Sequence, residues 1–243
     1  MGVNMKISVI TPSVRKGMLA IVEKCLSRQT FPADSYEWIV GSPQDFGFGI
    51  WVKDPPKKDW GFYTLNATWN KCLKEAQGEL FVSIVDGLYF PPDTLEWLWR
   101  YYVRYPMKLV SFAGHHYDKM ENGKPEHLIW TDPKVKNTGE FEEIAPWDFE
   151  LCIASLPMKG VRKIGGFDEI WDRFPGWSEK DLACRLTKIG YKCYIDHGLQ
   201  FRAIHHPRLE GDKWHEKFPE SSKYFMKCLN EIQENKRLKL NYL

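Results

Sequence analysis

The chain has 243 residues, of which 43% are hydrophobic, 27% charged and 15% aromatic. This length is sufficient for one large α/β domain with a substantial core, and the composition is that of a globular protein rather than a disordered one. The 34 basic residues nearly balance the 32 acidic ones, so the net charge of +2 does not by itself indicate a nucleic-acid or acidic-membrane partner.

The cysteines lie in apolar segments, without the close pairs that zinc sites and redox motifs require. We therefore expect buried free thiols at Cys25, Cys72, Cys152, Cys184, Cys193 and Cys228. No apolar run reaches the roughly 18 to 20 residues of a membrane span, and the first residues lack the apolar core of a signal peptide. The expectation is a soluble, cytoplasmic protein without a transmembrane segment.

Strand and helix patterns alternate along the first half of the chain. The predicted elements are a strand at 6–11, a helix at 17–28, a strand at 36–40, a helix at 63–76, a strand at 79–85, a helix at 92–105 and a strand at 108–113. Residues 42–60 are rich in Gly, Pro, Asp and Lys and are predicted to form a long loop. This alternation predicts an α/β fold with a mostly parallel, Rossmann-like sheet between helices.

The second half is less regular. Residues 114–146 are polar and rich in charge, which suggests an excursion from the sheet that could select the substrate. The remaining predictions are a strand at 149–155, a short helix at 159–164, a helix at 178–189, a strand at 192–195 and a C-terminal helix at 218–239.

A glycine-hinged loop, Gly165–Glu169 (GGFDE), precedes the acidic helix start Trp177–Leu182 (WSEKDL). Because a helix N-terminus has unpaired N–H groups and partial positive charge, a carboxylate there is held ionised and fixed in direction. Glu179 is the first candidate for a base that activates a hydroxyl group. The alternative is that Glu179 only caps the helix and pairs with Arg185 or Lys180. Asp181 is the second candidate, with an orienting role as its alternative.

Four motifs occur in order along the chain: Ser8–Ser13 (SVITPS), Cys25–Thr30 (CLSRQT), Asn70 with Glu75–Glu79 (EAQGE), and the GGFDE loop. Together they resemble family 2 glycosyltransferases over roughly residues 6 to 200. The resemblance implies a GT-A fold, in which one α/β domain binds a nucleotide-sugar at the carboxyl ends of its first strands. It implies a nucleotide-sugar half at about 5–113, an acceptor and catalytic half at 114–210, and a helical tail at 211–243.

The resemblance also implies roles for the acidic helix start. Trp177–Arg185 is similar to the family's W-G-x-E-D-x-D-L-x-x-R pattern, and the catalytic position falls on Glu179. In an inverting transferase this carboxylate takes the acceptor's proton while the oxygen attacks the anomeric carbon. The equivalent of Trp177 lines the family's acceptor site.

Nucleotide-sugar binding is predicted at the end of the first strand, on Thr11, Pro12 and Ser13. Asp45 and Asn70 are expected behind them, and each of these residues has a turn-forming alternative. Where the family commonly has an Asp that reads uracil, this chain has Ser42 or Pro43. The donor is therefore left open between UDP- and GDP-linked sugars.

The family usually holds Mg²⁺ or Mn²⁺ on a D-x-D motif, but only Asp86 is acidic in the corresponding Val85–Leu88 stretch. Asp86 and His205, together with the diphosphate, are one candidate set of metal ligands. Alternatively, basic side chains neutralise the phosphates without a metal: Arg202, Arg208 and Lys213.

Two alternative functions remain open. The first is a transferase whose acceptor is a hydroxylated base in phage-type DNA, instead of a glycan or a lipid-linked sugar. The other alternative is a degenerate transferase that only binds sugars or nucleotides, suggested by the missing acids at Leu88 and Ser42. A dinucleotide enzyme is disfavoured because no G-x-G-x-x-G follows the first strand.

Overall fold

The computed structural model describes residues 5–59, 64–121, 124–174, 176–204 and 214–243, with only the backbone of residues 120, 124 and 214–217. The helices are α1 Lys16–Leu26, α2 Leu65–Glu75, α3 Thr94–Arg104, α4 Met158–Lys163, α5 Ser178–Lys188 and α6 Trp214–Gln233. The strands are β1 Ile7–Pro12, β2 Tyr36–Ser42, β3 Ile50–Lys53, β4 Leu80–Ile84, β5 Leu88–Tyr89, β6 Lys108–Glu121, β7 Lys124–Thr131, β8 Phe141–Ile144, β9 Ile153–Pro157 and β10 Lys192–Ile204. Short 3-10 turns span Ala33–Ser35, Pro146–Asp148 and Glu169–Asp172.

The strands form a single sheet in the order β3-β2-β1-β4-β9-β6-β10-β5, with β7 beside β6 and β8 beside β10. The first four strands of this order are parallel, as predicted. Strand β9 is antiparallel to both β4 and β6, so the sheet is mixed rather than mostly parallel. The α/β class is nevertheless confirmed.

Two segments predicted as loops contribute strands. The predicted loop at 42–60 contains β3, and the predicted excursion at 114–146 contains the continuation of β6, all of β7 and β8. Strands β3 and β8 lie at the margins of the sheet and bury little of their surface. Because a half-exposed edge strand needs few apolar residues, its sequence lacks the buried-strand pattern on which the prediction relied.

The core lies on both faces of the sheet. Along β4, Phe81 packs with the side chains of α2, α4 and α5, whereas Val82 packs on the opposite face with α1 and α3. This follows from the alternation of side chains along a strand. All six cysteines are free; Cys152 is half-buried and the others are buried, which agrees with the prediction. Among the residues described, no helix is both long and apolar enough to cross a bilayer.

The last helix ends earlier than predicted. Helix α6 stops at Gln233 instead of continuing to residue 239, and Asn235 has a left-handed φ of 60°. A left-handed residue just after a helix ends its hydrogen-bond pattern and reverses the chain. The final residues consequently turn back, and Leu240 N–H donates to the Ile164 carbonyl at 2.9 Å.

Asp172 caps the start of α2 from a distant part of the chain. Its buried carboxylate accepts from the backbone N–H groups of Asn66 (2.7 Å) and Ala67 (3.1 Å) and from the Asn66 side-chain amide (3.0 Å). Burial raises the pKa of Asp172 to about 6, although these hydrogen bonds oppose the rise. The cap connects α2 to the loop that follows α4.

The raised pKa of Asp172 predicts a pH dependence of stability. The folded protein keeps the Asp172 carboxyl protonated up to about pH 6, whereas the unfolded chain loses that proton near pH 4. The stabilisation that comes from this difference is therefore fully present below pH 4 and is lost as the pH rises through 6. A shift of about two units corresponds to roughly 3 kcal/mol at most. Urea unfolding of the wild type and Asp172→Asn at pH 4.5, 5.5 and 7 measures this. The wild type should lose stability relative to the variant as the pH rises; a difference that stays constant contradicts the prediction.

Candidate functional site

The carboxyl ends of β1 and β4 bring three polar side chains together. Ser13 Oγ donates to Asp86 Oδ2 at 2.5 Å, and the Arg15 guanidinium lies 3.7 Å from the same oxygen. Arg15 N–H also donates to Ser13 Oγ at 2.9 Å. β1 and β4 are parallel neighbours, so the residues that follow them meet at one edge of the sheet. This edge is where open α/β sheets bind their ligands.

Arg15 was not predicted from the sequence. It directly precedes α1 and is one-quarter exposed, so its charge remains accessible beside the largely covered Asp86. The available signal was a basic residue in the loop directly after the first strand, and such a loop commonly holds phosphates in α/β enzymes.

One of the two predicted metal ligands, Asp86, lies within the described residues. The Ile204 N–H donates to the Gly87 carbonyl at 2.9 Å, so the described end of β10 reaches the residue next to Asp86. His205 itself, with Arg208 and Lys213, lies outside the described residues. Within the described ranges, no group of three or more His, Cys, Asp or Glu side chains could hold a metal ion.

The other predicted nucleotide-binding residues of the first two strands have different environments. Thr11 is fully buried, and its hydroxyl accepts from Trp38 Nε1 at 3.0 Å, so its side chain lies beneath the surface of the site. Pro12 is half-buried at the end of β1. Asp45 is exposed and accepts from the Gly47 N–H at 2.8 Å, which is its turn-forming alternative.

Asn70 holds the GGFDE loop in place instead of facing a ligand. It is 1% exposed; its amide donates to the Phe167 carbonyl (2.9 Å) and Glu169 (3.2 Å), and its oxygen accepts from the Phe167 N–H (2.9 Å). The prediction that Asn70 contacts the nucleotide is therefore corrected. A 1%-exposed amide that makes its hydrogen bonds within the protein fixes a loop and is covered from a ligand.

Glu179 lies in the first turn of α5 with 24% of its side chain exposed. Its carboxylate accepts from the Ser178 hydroxyl at 3.2 Å and lies 3.5 Å from Lys180 Nζ. Of the two partners in the predicted alternative, Lys180 does pair with Glu179, whereas Arg185 binds Asp181. Glu179 is consequently oriented by neighbouring groups but remains accessible to a ligand.

Asp181 is a structural residue. It has no exposed surface, so its carboxylate cannot contact a substrate, and the prediction of a catalytic role is corrected. It accepts from Arg185 Nε at 2.9 Å and from Arg237 Nε at 3.2 Å. Arg185 also donates to the Ile164 (3.2 Å) and Gly166 (2.8 Å) carbonyls, connecting α5 to the GGFDE loop.

The C-terminal residues complete this arrangement. Arg237 pairs with both Asp168 and Asp181, and the Tyr242 hydroxyl donates to Asp168 at 3.0 Å. We call these side chains the tail network: Asp168, Asp181, Arg185, Arg237 and Tyr242. Burial lowers the pKa of Arg237, but the carboxylates of Asp181 and Asp168 outweigh burial and raise it overall. The guanidinium therefore stays charged.

The tail also explains a glycine of the loop. Gly165 has a φ of +78°, and a Cβ at this position would lie 1.7 Å from the Leu240 carbonyl oxygen. Both the backbone conformation and the close approach of the tail therefore require glycine.

Residues 149–152 contact the chain neighbours of both Glu179 and Asp86. The Cys152 carbonyl accepts from the Val85 N–H at 3.0 Å, next to Asp86, and Lys180 Nζ donates to the Phe149 carbonyl at 3.3 Å. Burial raises the pKa of Cys152 to about 12, with the nearby negative charges of Glu150 and Glu179 contributing. The neighbours of Glu179 and of Asp86 thus contact the same short segment.

Trp177 has a left-handed φ of 66° just before α5. Its ring stacks on Phe225 and Phe218, with centroid distances of 4.7 and 5.6 Å. It also lines an open cleft of about 660 Å³ between the 3-10 turn Pro146–Asp148, the start of α5 and α6. We call this the α5–α6 cleft; its apolar lining is Trp147, Trp177, Phe225, Met226 and Leu229.

No family model and no curated protein matches the chain. Several solved structures do match the chain. S. aureus TarS 1-349 in complex with UDP is 14% identical, with a TM-score of 0.67, over 95% of this chain and 66% of that one. Its complex with UDP-GlcNAc is 15% identical, with a TM-score of 0.62, over 94% and 65%. GalNAc-T7 with UDP, GalNAc and Mn²⁺ is 12% identical, with a TM-score of 0.68, over 96% and 49%.

These similarities establish the architecture as the GT-A fold of glycosyltransferases, as the sequence motifs predicted. The chain spans about two thirds or less of the length of each of these structures.

The tail network makes a prediction about stability. Arg237→Ala leaves two buried carboxylates short of a partner and should lower the free energy of unfolding by roughly 3 to 5 kcal/mol. Lys236→Ala is the matched control: this lysine is 71% exposed and pairs with Glu234 on the surface, so its loss should cost less than about 1 kcal/mol. Urea unfolding at pH 7 compares the two. Equal losses would mean that Arg237 does not hold the tail.

Proposed function

We propose that the chain is an inverting glycosyltransferase, which moves a sugar from a nucleotide-sugar donor to an acceptor hydroxyl. The observation that carries this proposal is the accessible carboxylate of Glu179, whose neighbour Lys180 contacts residues 149–152, the segment that also pairs with Val85 beside Asp86. A base and a candidate diphosphate site connected through one segment are what a transfer between two substrates needs.

The donor binds at the carboxyl ends of β1 and β4. Arg15 supplies positive charge for the diphosphate, and the hydrogen bond between Ser13 and Asp86 keeps the two strand ends together. UDP is the nucleotide in the TarS and GalNAc-T7 structures, which favours a UDP-linked sugar over a GDP-linked one. The residues that would read the base are not assigned, because Thr11 is buried and Asp45 forms a turn.

Glu179 acts as the general base. It takes the proton of the acceptor hydroxyl while that oxygen forms a bond to the anomeric carbon. The bond from that carbon to the diphosphate breaks on the opposite face, so the configuration inverts and the nucleoside diphosphate leaves with the electron pair. Ser178 and Lys180 orient the carboxylate, and its partial exposure leaves an oxygen within reach of an acceptor.

A divalent metal is part of the GalNAc-T7 structure, which contains Mn²⁺. In this chain the described donor set is one carboxylate, and one oxygen of Asp86 already accepts from Ser13 and faces Arg15. Divalent ions prefer several oxygen ligands, so this set does not fit a metal on its own. We therefore assign charge neutralisation of the diphosphate to Arg15.

Glu179→Gln should retain the fold and donor binding but lose turnover by on the order of a hundred- to ten-thousand-fold, because the amide cannot accept the proton. The measurement is release of UDP from a panel of UDP-sugars with mixed acceptors, together with the anomeric configuration of the product by NMR. Glu96→Gln is the control, since Glu96 forms an exposed pair with Arg100 on α3.

Unchanged turnover in Glu179→Gln would refute the role of this base, and retention of configuration would refute inversion. A wild-type protein that binds UDP-sugars but never releases UDP would be the degenerate binding module instead.

Arg15→Ala should weaken UDP binding by roughly tenfold or more, because a charge-assisted contact of about 1.5 to 3 kcal/mol is removed. Calorimetric titration with UDP and GDP, each with and without Mn²⁺, measures this. Arg100→Ala, which removes an exposed guanidinium from α3, should bind UDP like the wild type. Equal affinity in Arg15→Ala and the wild type would move the diphosphate site elsewhere.

A further inference from the structure

The α5–α6 cleft leaves large apolar side chains uncovered. Trp147 on the 3-10 turn and Met226 on α6 are 53% and 58% exposed, and both line the cleft. Phe225 and Leu229 line the same space from α6. Exposed apolar groups that surround a concave space, rather than being scattered singly, are typical of ligand-binding grooves.

The cleft adjoins the proposed base. Lys180 lines the cleft, and its Nζ lies 3.5 Å from a carboxylate oxygen of Glu179. Trp177 lines it as well, two residues before Glu179. A molecule that occupies the cleft can therefore place a hydroxyl group near Glu179.

The positive and negative side chains of the cleft are equal in number. Two of them, Lys134 and Glu150, form an ion pair at 2.5 Å. The second lysine, Lys180, contacts the Phe149 carbonyl and Glu179. With Asp148 also present, the lining has two positive and two negative side chains. A polyanion such as DNA would meet no surplus of positive charge.

Among the cleft's lining residues in the described chain, the neutral hydrogen-bonding groups are the Ser222 hydroxyl and the indole N–H groups of Trp147 and Trp177, so Ser222 supplies the single hydroxyl. A glycan chain carries many hydroxyl groups, each of which loses water on burial and needs a new partner. The lining therefore suits a ligand whose body is mainly apolar.

We propose that the α5–α6 cleft binds the apolar body of the acceptor, so that the acceptor is an apolar-bodied alcohol rather than a glycan chain or DNA. The inference rests on the proposed function for the fate of the hydroxyl, but binding of the apolar body can be measured without a donor. In bound form the body covers Trp147 and Met226 and directs its hydroxyl toward Glu179.

The test compares two probes with the same sugar and different bodies, n-octyl β-D-glucopyranoside below its critical micelle concentration and methyl β-D-glucopyranoside. Calorimetry with the wild type should detect the octyl compound and show no binding of the methyl compound at equal concentration. Trp147→Ala should weaken octyl binding by about tenfold, which corresponds to about 1.4 kcal/mol. Met226→Glu, which places a charge in the cleft, should weaken it as well.

Trp97→Ala is the matched control, because Trp97 is a 40% exposed tryptophan on α3 that does not line the cleft, and it should bind like the wild type. Circular dichroism establishes that each variant is folded. The proposal is overturned if the methyl compound or a single-stranded DNA 12-mer binds as well as the octyl compound, or if neither cleft variant weakens binding.

The two proposals fail separately. Octyl binding through the cleft without any UDP release would leave the cleft assignment intact and remove the transferase activity. Efficient transfer to glycans or DNA, with the cleft variants unaffected, would do the reverse.

Discussion

The fully buried carboxylate of Asp181 constrains the part of the candidate site that carries Glu179. It is shared by Arg185 and Arg237, which also hold the GGFDE loop and the C-terminal tail. A buried charge without a partner costs several kcal/mol, so helix α5, the loop and the tail are stable together in one arrangement. Residues two apart on a helix do not share a face, and Glu179 is accordingly directed away from this network.

Donor and acceptor groups come from different parts of the architecture. Ser13, Arg15 and Asp86 follow parallel strands, so backbone pairing fixes their separation. Glu179 is carried by a helix that is anchored from behind by the tail. Residues 149–152 connect the two parts through hydrogen bonds to Val85 and Lys180. In the proposed reaction, the sheet would hold the leaving group while the anchored helix would present the base.

Secondary structure was predicted accurately from the sequence where a segment is buried as a strand or has one buried helix face, because burial then produces a clear hydrophobic pattern. The apolar run of β4 is buried on both faces, and α2 and α5 follow helical spacing to within about two residues. Strands β3 and β8 were missed, because edge strands bury little apolar surface. Motif position placed the catalytic role on Glu179 and ranked Asp181 second, but the burial that distinguishes these two side chains depends on residues far away in the chain.

The sequence by itself determined the α/β class, the GT-A resemblance and the presence of a carboxylate at a helix start, because local spacing and short motifs encode these features. Only the tertiary structure decided that Asn70 and Asp181 are structural, that Arg15 accompanies Asp86, and that an apolar cleft adjoins Glu179. Those properties come from contacts between residues up to about a hundred positions apart, such as Asn70 with Phe167 and Asn66 with Asp172. No local pattern records such contacts, since burial and charge pairing arise when distant segments pack together.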